Sequence, residues 1–159
     1  MRTLGWAALL VLGFGAALAV GQGLWNRSAE ELGKKLDAGK RKSPTAVFRP
    51  EALAGLPDPV QRYLRTVLPG GRPVVTGARI LHRGMFNMSE TGEKWKPFTS
   101  RQKVVTARPG FDWEARIRLA PGVFVLVRDA YAGGEGVLKA SLWGLFTVAK
   151  WPASDELAF

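Results

Sequence analysis

The hydrophobic pattern changes along the chain and divides it into three parts. From Leu4 to Val20 no residue is charged or strongly polar, and the apolar run continues to Trp25 with Gln22 as its one interruption. About 20 consecutive apolar residues at a rise of roughly 1.5 Å each match the thickness of a bilayer core. We therefore expect residues 1–26 to form an N-terminal transmembrane helix or a secretory signal segment.

Two interpretations of this first segment stay open. Arg2 in front of the run and the A-x-A sequence at residues 17–19 are typical of a cleaved signal peptide. The length of the run and the aromatic Trp25 at its end favour a retained, single-pass anchor in the cell membrane. The cations that follow the apolar run favour a cytoplasmic location for the rest of the chain, whereas cleavage of a signal peptide would place it outside the cell. The side of the membrane on which the domain lies therefore also stays open.

Residues 27–47 are predicted to be a polar, basic linker. Ser28 and Glu31 have the spacing of a capping box, which predicts a short polar helix before the breaker-rich stretch Gly39–Pro44. The whole chain carries 23 Lys and Arg against 13 Asp and Glu, a formal net charge of +10. We expect five cations of this region to contact anionic lipid: Lys34, Lys35, Lys40, Arg41 and Lys42. Nucleic acid is not a predicted partner, because the sequence has no zinc-ligand spacing and no helix-turn-helix or RNP pattern.

The third part, residues 48–159, contains one well-marked amphipathic helix. Asp58 is a good N-cap, and Pro59 suits the first helical position. Apolar residues then recur at helical spacing: Val60, Tyr63, Leu64, Val67 and Leu68. This stripe predicts that the helix Asp58–Leu68 covers an apolar surface.

From Pro73 onward the period is two, which predicts strands. Five strands joined by short turns rich in Gly and Pro indicate an antiparallel meander. They are expected over residues 74–88, 99–107, 111–119, 123–129 and 136–143. The predicted fold class is therefore α+β, with the amphipathic helix packed on a curved antiparallel β-meander.

The third predicted strand alternates without a break. Apolar residues such as Trp113 share one face, and Asp112, Glu114, Arg116 and Arg118 share the other, which we expect to lie in solvent. The last hydrophobic segment, Leu142–Val148, leaves the sheet with an open edge. We therefore expect the domain to be incomplete at its C-terminus and to form an incomplete half-barrel, the latter by fold-level analogy alone.

Five short motifs occur in order along the third part: LPDPVQRYL at 56–64, PGFDW at 109–113, RDAY at 128–131, GEG at 134–136 and LFTV at 145–148. With these motifs, residues 48–159 resemble a bacterial membrane-anchored family of unknown function. The resemblance implies a membrane span, a polar linker and one helix-plus-β domain. It also implies that the chain corresponds to the N-terminal part of a longer, truncated protein. It implies no catalytic residues.

Residues that could carry catalysis are sparse. His82 is the single histidine and cysteine is absent, which excludes thiol catalysis, disulfides and two-His or Cys-based metal sites. Gly133–Gly136 is not a phosphate loop, because no Lys-Ser/Thr follows it and it joins two strands. We therefore predict no catalytic residue, no metal and no cofactor.

The residues expected to bind a ligand lie around the end of the fourth strand. They are Arg128, Asp129, Tyr131 and Glu135, together with Trp113 from the aromatic residues expected to line an apolar groove. The function expected is non-enzymatic binding of a hydrophobic or lipid-like ligand, or of a partner, at the membrane surface. One alternative is an enzyme that acts on envelope material through carboxylates such as Asp129 and Glu135. The other is a structural accessory protein.

Overall fold

The first helix is longer than the sequence predicts. The computed structural model describes residues 2–38 and 46–151, and in the first helix it describes the side chains of residues 6, 9 and 11–38. Helix α1 spans Arg2–Ala38 without interruption, so the helix start predicted at Ser28 is wrong. The apolar run and the polar segment after it both favour helix, and no proline separates them. Residues 27–38 thus belong to α1 rather than to a linker, and Lys40, Arg41 and Lys42 lie outside the described residues.

The apolar character of α1 does not amount to a membrane span in the part of the chain that the structure describes. There, no helix combines sufficient length with sufficient mean hydropathy to cross a bilayer. The predicted transmembrane helix is therefore not supported. Trp25, expected at a membrane interface, is instead buried at 3% exposure.

Six antiparallel strands follow, and each pairs with its neighbour in sequence order. They are β1 (Gly77–Asn87), β2 (Trp95–Val105), β3 (Gly110–Ala120), β4 (Val123–Ala132), β5 (Glu135–Leu142) and β6 (Phe146–Trp151). The α+β class and the antiparallel meander are confirmed, and the sheet is not closed into a barrel. The sixth strand was not predicted separately, because the turn before it contains the bulky Trp143. Trp143 and Gly144 both have positive φ there, which reverses the chain.

The strand register assigns each side chain to one of two faces. Glu114 is opposite Arg101 on one side and Arg128 on the other, and all three share what we call the helix face. Trp113 is opposite Gln102 and Asp129 on what we call the apolar face. The helix face is the one against which α1 packs.

Helix α1 covers the helix face over β3 and β4. Leu32 and Leu36 are buried together with three sheet residues, Val105, Ala130 and Ala132. Nearer the middle of the helix, a Cβ added to Gly21 would lie 2.5 Å from Leu145 Cγ. The absence of a side chain at Gly21 therefore lets the helix backbone approach the β5–β6 turn.

The predicted packing of the amphipathic helix is wrong. After a short 3₁₀ helix at Pro50–Leu53, helix α2 spans Asp58–Val67, as expected, but none of its residues is buried. Tyr63, predicted to face the sheet, is 65% exposed. The contacts of α2 are chiefly with the 3₁₀ helix. The C-terminal half of α1, and not α2, packs on the sheet.

We predict that stability depends on α1 and not on α2. Leu36→Ala should lower the free energy of unfolding by about 2–5 kcal/mol, because it removes a side chain that is only 2% exposed. Tyr63→Ala, the control on α2, should change it by no more than about 0.5 kcal/mol. Urea unfolding of the full chain followed by circular dichroism measures both. An equal loss in the two variants would show that α2 also packs on the sheet.

Candidate functional site

A buried arginine lies at the centre of the interface between α1 and the sheet. Arg128 on β4 is 2% exposed, although a buried unpaired charge costs several kcal/mol. Its guanidinium makes a short ion pair with Glu114. Its Nε lies 3.2 Å from Asp112 Oδ1, although the two atoms are not aligned for a hydrogen bond. Both carboxylates therefore compensate the buried cation.

The carboxylates of this cluster differ in how they are satisfied. Glu114 also accepts two hydrogen bonds from Arg101 Nη2, at 3.1 and 3.2 Å. Two cations and two anions thus balance within four residues. Desolvation raises the pKa of Asp112 above its ordinary 3.8, and the attraction of Arg128 lowers it by less. The charged form of Asp112 is therefore less favourable in the folded protein than in water.

Trp25 on α1 closes the cluster from above. Its ring lies 5.0 Å from the guanidinium carbon of Arg128, a cation–π distance. The Trp25 carbonyl oxygen accepts a hydrogen bond from Arg128 Nη1 at 3.4 Å. The ammonium of Lys139 lies 5.7 Å from the same ring. The helix is therefore fixed to the sheet by one aromatic side chain over a paired arginine.

Two exposed ion pairs flank the C-terminal end of α1. Lys103 on β2 contacts Asp37 at 2.9 Å, and Lys35 contacts Glu135 on β5 at 2.7 Å. The hydrogen bond from Lys35 lowers the pKa of Glu135. Exposed pairs of this kind contribute little stability individually, but together they define where the helix end lies.

An open groove follows one side of α1. The helix covers β3, β4 and the Val105 end of β2, but it leaves the helix face of β1 and of the rest of β2 uncovered. Two adjoining cavities, about 560 and about 660 Å³ in volume, share Leu81, Arg101 and Glu114. We call them together the flank groove. Its helical wall consists of Gln22, Asn26, Ala29 and Gly33, whose spacing places them along one side of a helix.

The sheet side of the flank groove is strongly cationic. Arg79, Arg83, Arg101, Lys103 and Arg116 line it, against the two acids Asp112 and Glu114. Arg101 and Lys103 are ion-paired. Within residues 46–151 and α1, the other three arginines have no acidic partner; Arg116 lies 3.5 Å over the Phe124 ring. Clefts lined by one sign of charge concentrate ligands of the opposite sign.

The five residues expected to bind a ligand do not form one site. Trp113, Asp129 and Tyr131 share the apolar face, where Trp113 is directly opposite Asp129. Partial burial raises the pKa of Asp129. Arg128 lies on the helix face inside the ionic cluster, and Glu135 is paired with Lys35 at the end of α1. No described helix makes extensive contact with the apolar face.

The alternation predicted for β3 is confirmed, and Arg116 and Arg118 of its polar face are exposed as expected, but the solvent exposure predicted for Asp112 and Glu114 is wrong. The structure packs α1 against that face, so Asp112 and Glu114 are mostly buried under the helix. The sequence analysis did not predict the arginines of the groove. Arg79 and Arg83 are four residues apart on β1, and Arg116 and Arg118 are two apart on β3, so each pair shares one face of its strand. That spacing could have indicated a cationic face.

Among the described residues, no three acidic or histidine side chains converge as a metal site.

We predict that Asp112 makes stability fall as pH rises. Because its folded-state pKa is raised above 3.8, the folded state binds more protons than the unfolded state between the two values. The contribution of Asp112 to the free energy of unfolding is therefore most favourable below its ordinary pKa. This contribution is lost as the pH rises through the raised pKa of the folded state. The stability of Asp112→Asn relative to that of the wild type should therefore increase as pH rises from about 4 through the raised pKa of Asp112. Urea midpoints across this range measure the difference, with Glu93→Gln, an exposed carboxylate, as control. Parallel curves for wild type and Asp112→Asn would contradict it.

Comparison with known proteins places the chain in a family. No curated protein and no solved structure matches it. Residues 54–158 match DUF6920, a family of unknown function, which confirms the resemblance to an uncharacterised family. The match includes α2 and all six strands and covers most of the sequence. The chain therefore belongs to the DUF6920 family.

Proposed function

We propose that this protein is a non-enzymatic binding protein that contacts a membrane and holds a hydrophobic or lipid-like ligand in the flank groove. The observation that carries the proposal is the open space beside α1. The small residues Ala29 and Gly33 form the helical wall there, opposite Leu81, whose side chain is 82% exposed. Each of the two cavities, at about 560 and about 660 Å³, lies within the usual volume range of small-molecule sites, about 300–1,000 Å³.

Membrane contact is proposed for the N-terminal half of α1. Between residues 11 and 20 every residue except Leu18 is exposed, and none is charged. Trp6 and Leu9 extend the exposed apolar surface toward the N-terminus. A helix that is apolar on all sides is stable only in apolar surroundings. Lipid supplies such surroundings, and the positive net charge of +10 suits a surface of anionic headgroups.

The carboxylates do not favour the enzymatic alternative. Asp129 lies on the apolar face, whereas Glu135 is paired with Lys35 at the other surface of the sheet. Asp112 and Glu114 are close together but are engaged by Arg128. A purely structural accessory role is the outcome if no ligand binds.

We predict that the exposed half of α1 determines membrane binding. Val11→Glu with Leu12→Glu should reduce co-sedimentation of the full chain with vesicles of phosphatidylcholine and phosphatidylglycerol at least tenfold, because two charges would enter the lipid. Val74→Glu with Val75→Glu adds the same charge at exposed apolar positions outside the helix. This control pair should bind nearly as the wild type does. Equal losses in both pairs would attribute binding to net charge and contradict the assignment to α1.

We predict that a large side chain in the groove wall blocks ligand binding. The probe is palmitoyl lysophosphatidylcholine, and native mass spectrometry of the full chain measures the bound fraction. Gly33→Phe should lower binding at least tenfold by filling the groove. Gly23→Phe is the matched control, because a Cβ atom added at either glycine meets nothing within 4 Å and Gly23 does not line the groove. No binding to the wild type, or the same loss in both variants, would reject the groove as the site.

A further inference from the structure

The flank groove contains one place where two unpaired arginines flank a hydroxyl group. Arg83 is opposite Thr99, and Thr99 is opposite Arg116, so the three residues form one row across β1, β2 and β3 on the helix face. All three side chains are exposed and line the larger cavity of the groove. Since neighbouring strands are about 4.8 Å apart, the two arginine backbones lie about 10 Å apart. Side chains of this length can therefore reach a small group above Thr99, Arg116 by leaving the ring of Phe124 on which it stacks.

The partners of these arginines distinguish the row from the rest of the groove. Arg101 and Lys103 on the same face are neutralised by Glu114 and Asp37. Arg83 and Arg116 form no ion pair or hydrogen bond with any described residue. The nearest acid lining the cavity, Glu114, is already engaged by Arg101 and Arg128. The row therefore has two guanidinium groups without an ion pair and a hydroxyl, and the guanidinium of Arg116 stacks on the Phe124 ring.

We propose that the row Arg83–Thr99–Arg116 binds the anionic head group, a phosphate or carboxylate, of an amphiphilic ligand. Guanidinium groups donate paired hydrogen bonds that match both kinds of oxyanion. The amides of Gln22 and Asn26 on α1 form the facing wall of the same cavity. The adjoining cavity, with Ala29, Gly33 and Leu81, takes the apolar tail. This inference rests on the proposed function and specifies the class of ligand.

The experiment compares two lipids that share one acyl chain. Palmitoyl lysophosphatidic acid carries an anionic phosphate, whereas palmitoyl lysophosphatidylcholine has no net charge. Native mass spectrometry of the full chain should give at least tenfold tighter binding of the anionic lipid. Arg83→Gln with Arg116→Gln should abolish this preference while leaving lysophosphatidylcholine binding unchanged. Arg83→Lys with Arg116→Lys should retain part of it, because the charge remains and the paired geometry is lost.

The matched control removes the same charge elsewhere. Arg72→Gln with Arg108→Gln changes two exposed arginines that do not line the groove, and it should alter both affinities less than twofold. Urea midpoints establish that every variant is folded. Palmitate and inorganic phosphate, tested separately, distinguish a carboxylate amphiphile and a free anion from a phosphate lipid.

Each remaining outcome overturns a defined part of the proposal. Equal binding of the two lysolipids by the wild type would reject the anionic head group while leaving the groove as a hydrophobic site. A loss as large in the Arg72 and Arg108 control would show general electrostatic attraction rather than a site. Competition by inorganic phosphate as strong as by the lipid would reject an amphiphile in favour of a free anion. Binding of neither lysolipid would reject the proposed function itself.

Discussion

The contact between Trp25 and Arg128 is the interaction on which the rest of the structure depends. A guanidinium at 2% exposure is tolerable only because Asp112 and Glu114 compensate its charge, and Trp25 excludes water from above. Removing Arg128 would leave the two buried carboxylates without the cation that they share. The cluster therefore fixes both the position of α1 along the sheet and the identity of the covered face.

This choice of face has a structural consequence. A helix placed over an ionic cluster centred on Arg128 and Glu114 covers chiefly β3 and β4. The helix face of β1 and of most of β2 stays open, and Arg79 and Arg83 of β1 face this space without an acidic partner among the described residues. The flank groove therefore exists because the charges of β3 and β4 determine where the helix lies. The groove is cationic because strand side chains alternate between the two faces, which places arginines of β1, β2 and β3 on the same face as Arg128.

The two halves of α1 are suited to different surroundings. The C-terminal half is amphipathic, with Leu32 and Leu36 against the sheet and the groove wall beside them. In the N-terminal half, the described side chains of Trp6, Leu9 and residues 11–20 are apolar and, apart from Leu18, exposed. A ligand groove and an apolar helix on one rigid element would place a bound amphiphile next to lipid. This arrangement is what joins the proposed membrane contact to the proposed ligand.

The sequence by itself determined the local elements. The period-two alternation of residues 111–119 and the turns rich in Gly and Pro predicted the meander, and the stripe from Val60 to Leu68 predicted α2, because both signals depend only on near neighbours. Which helix covers the sheet, and on which face, was decided by tertiary structure alone. The apolar stripe of α2 predicts a buried helix face, yet no residue of α2 is buried. The polar face of β3 has the pattern of a solvent-exposed face, and only the pairing with β4 places Arg128 beside Asp112 and Glu114. The row Arg83–Thr99–Arg116 likewise exists only through the register of three strands, since long-range pairing brings together residues that no local pattern connects.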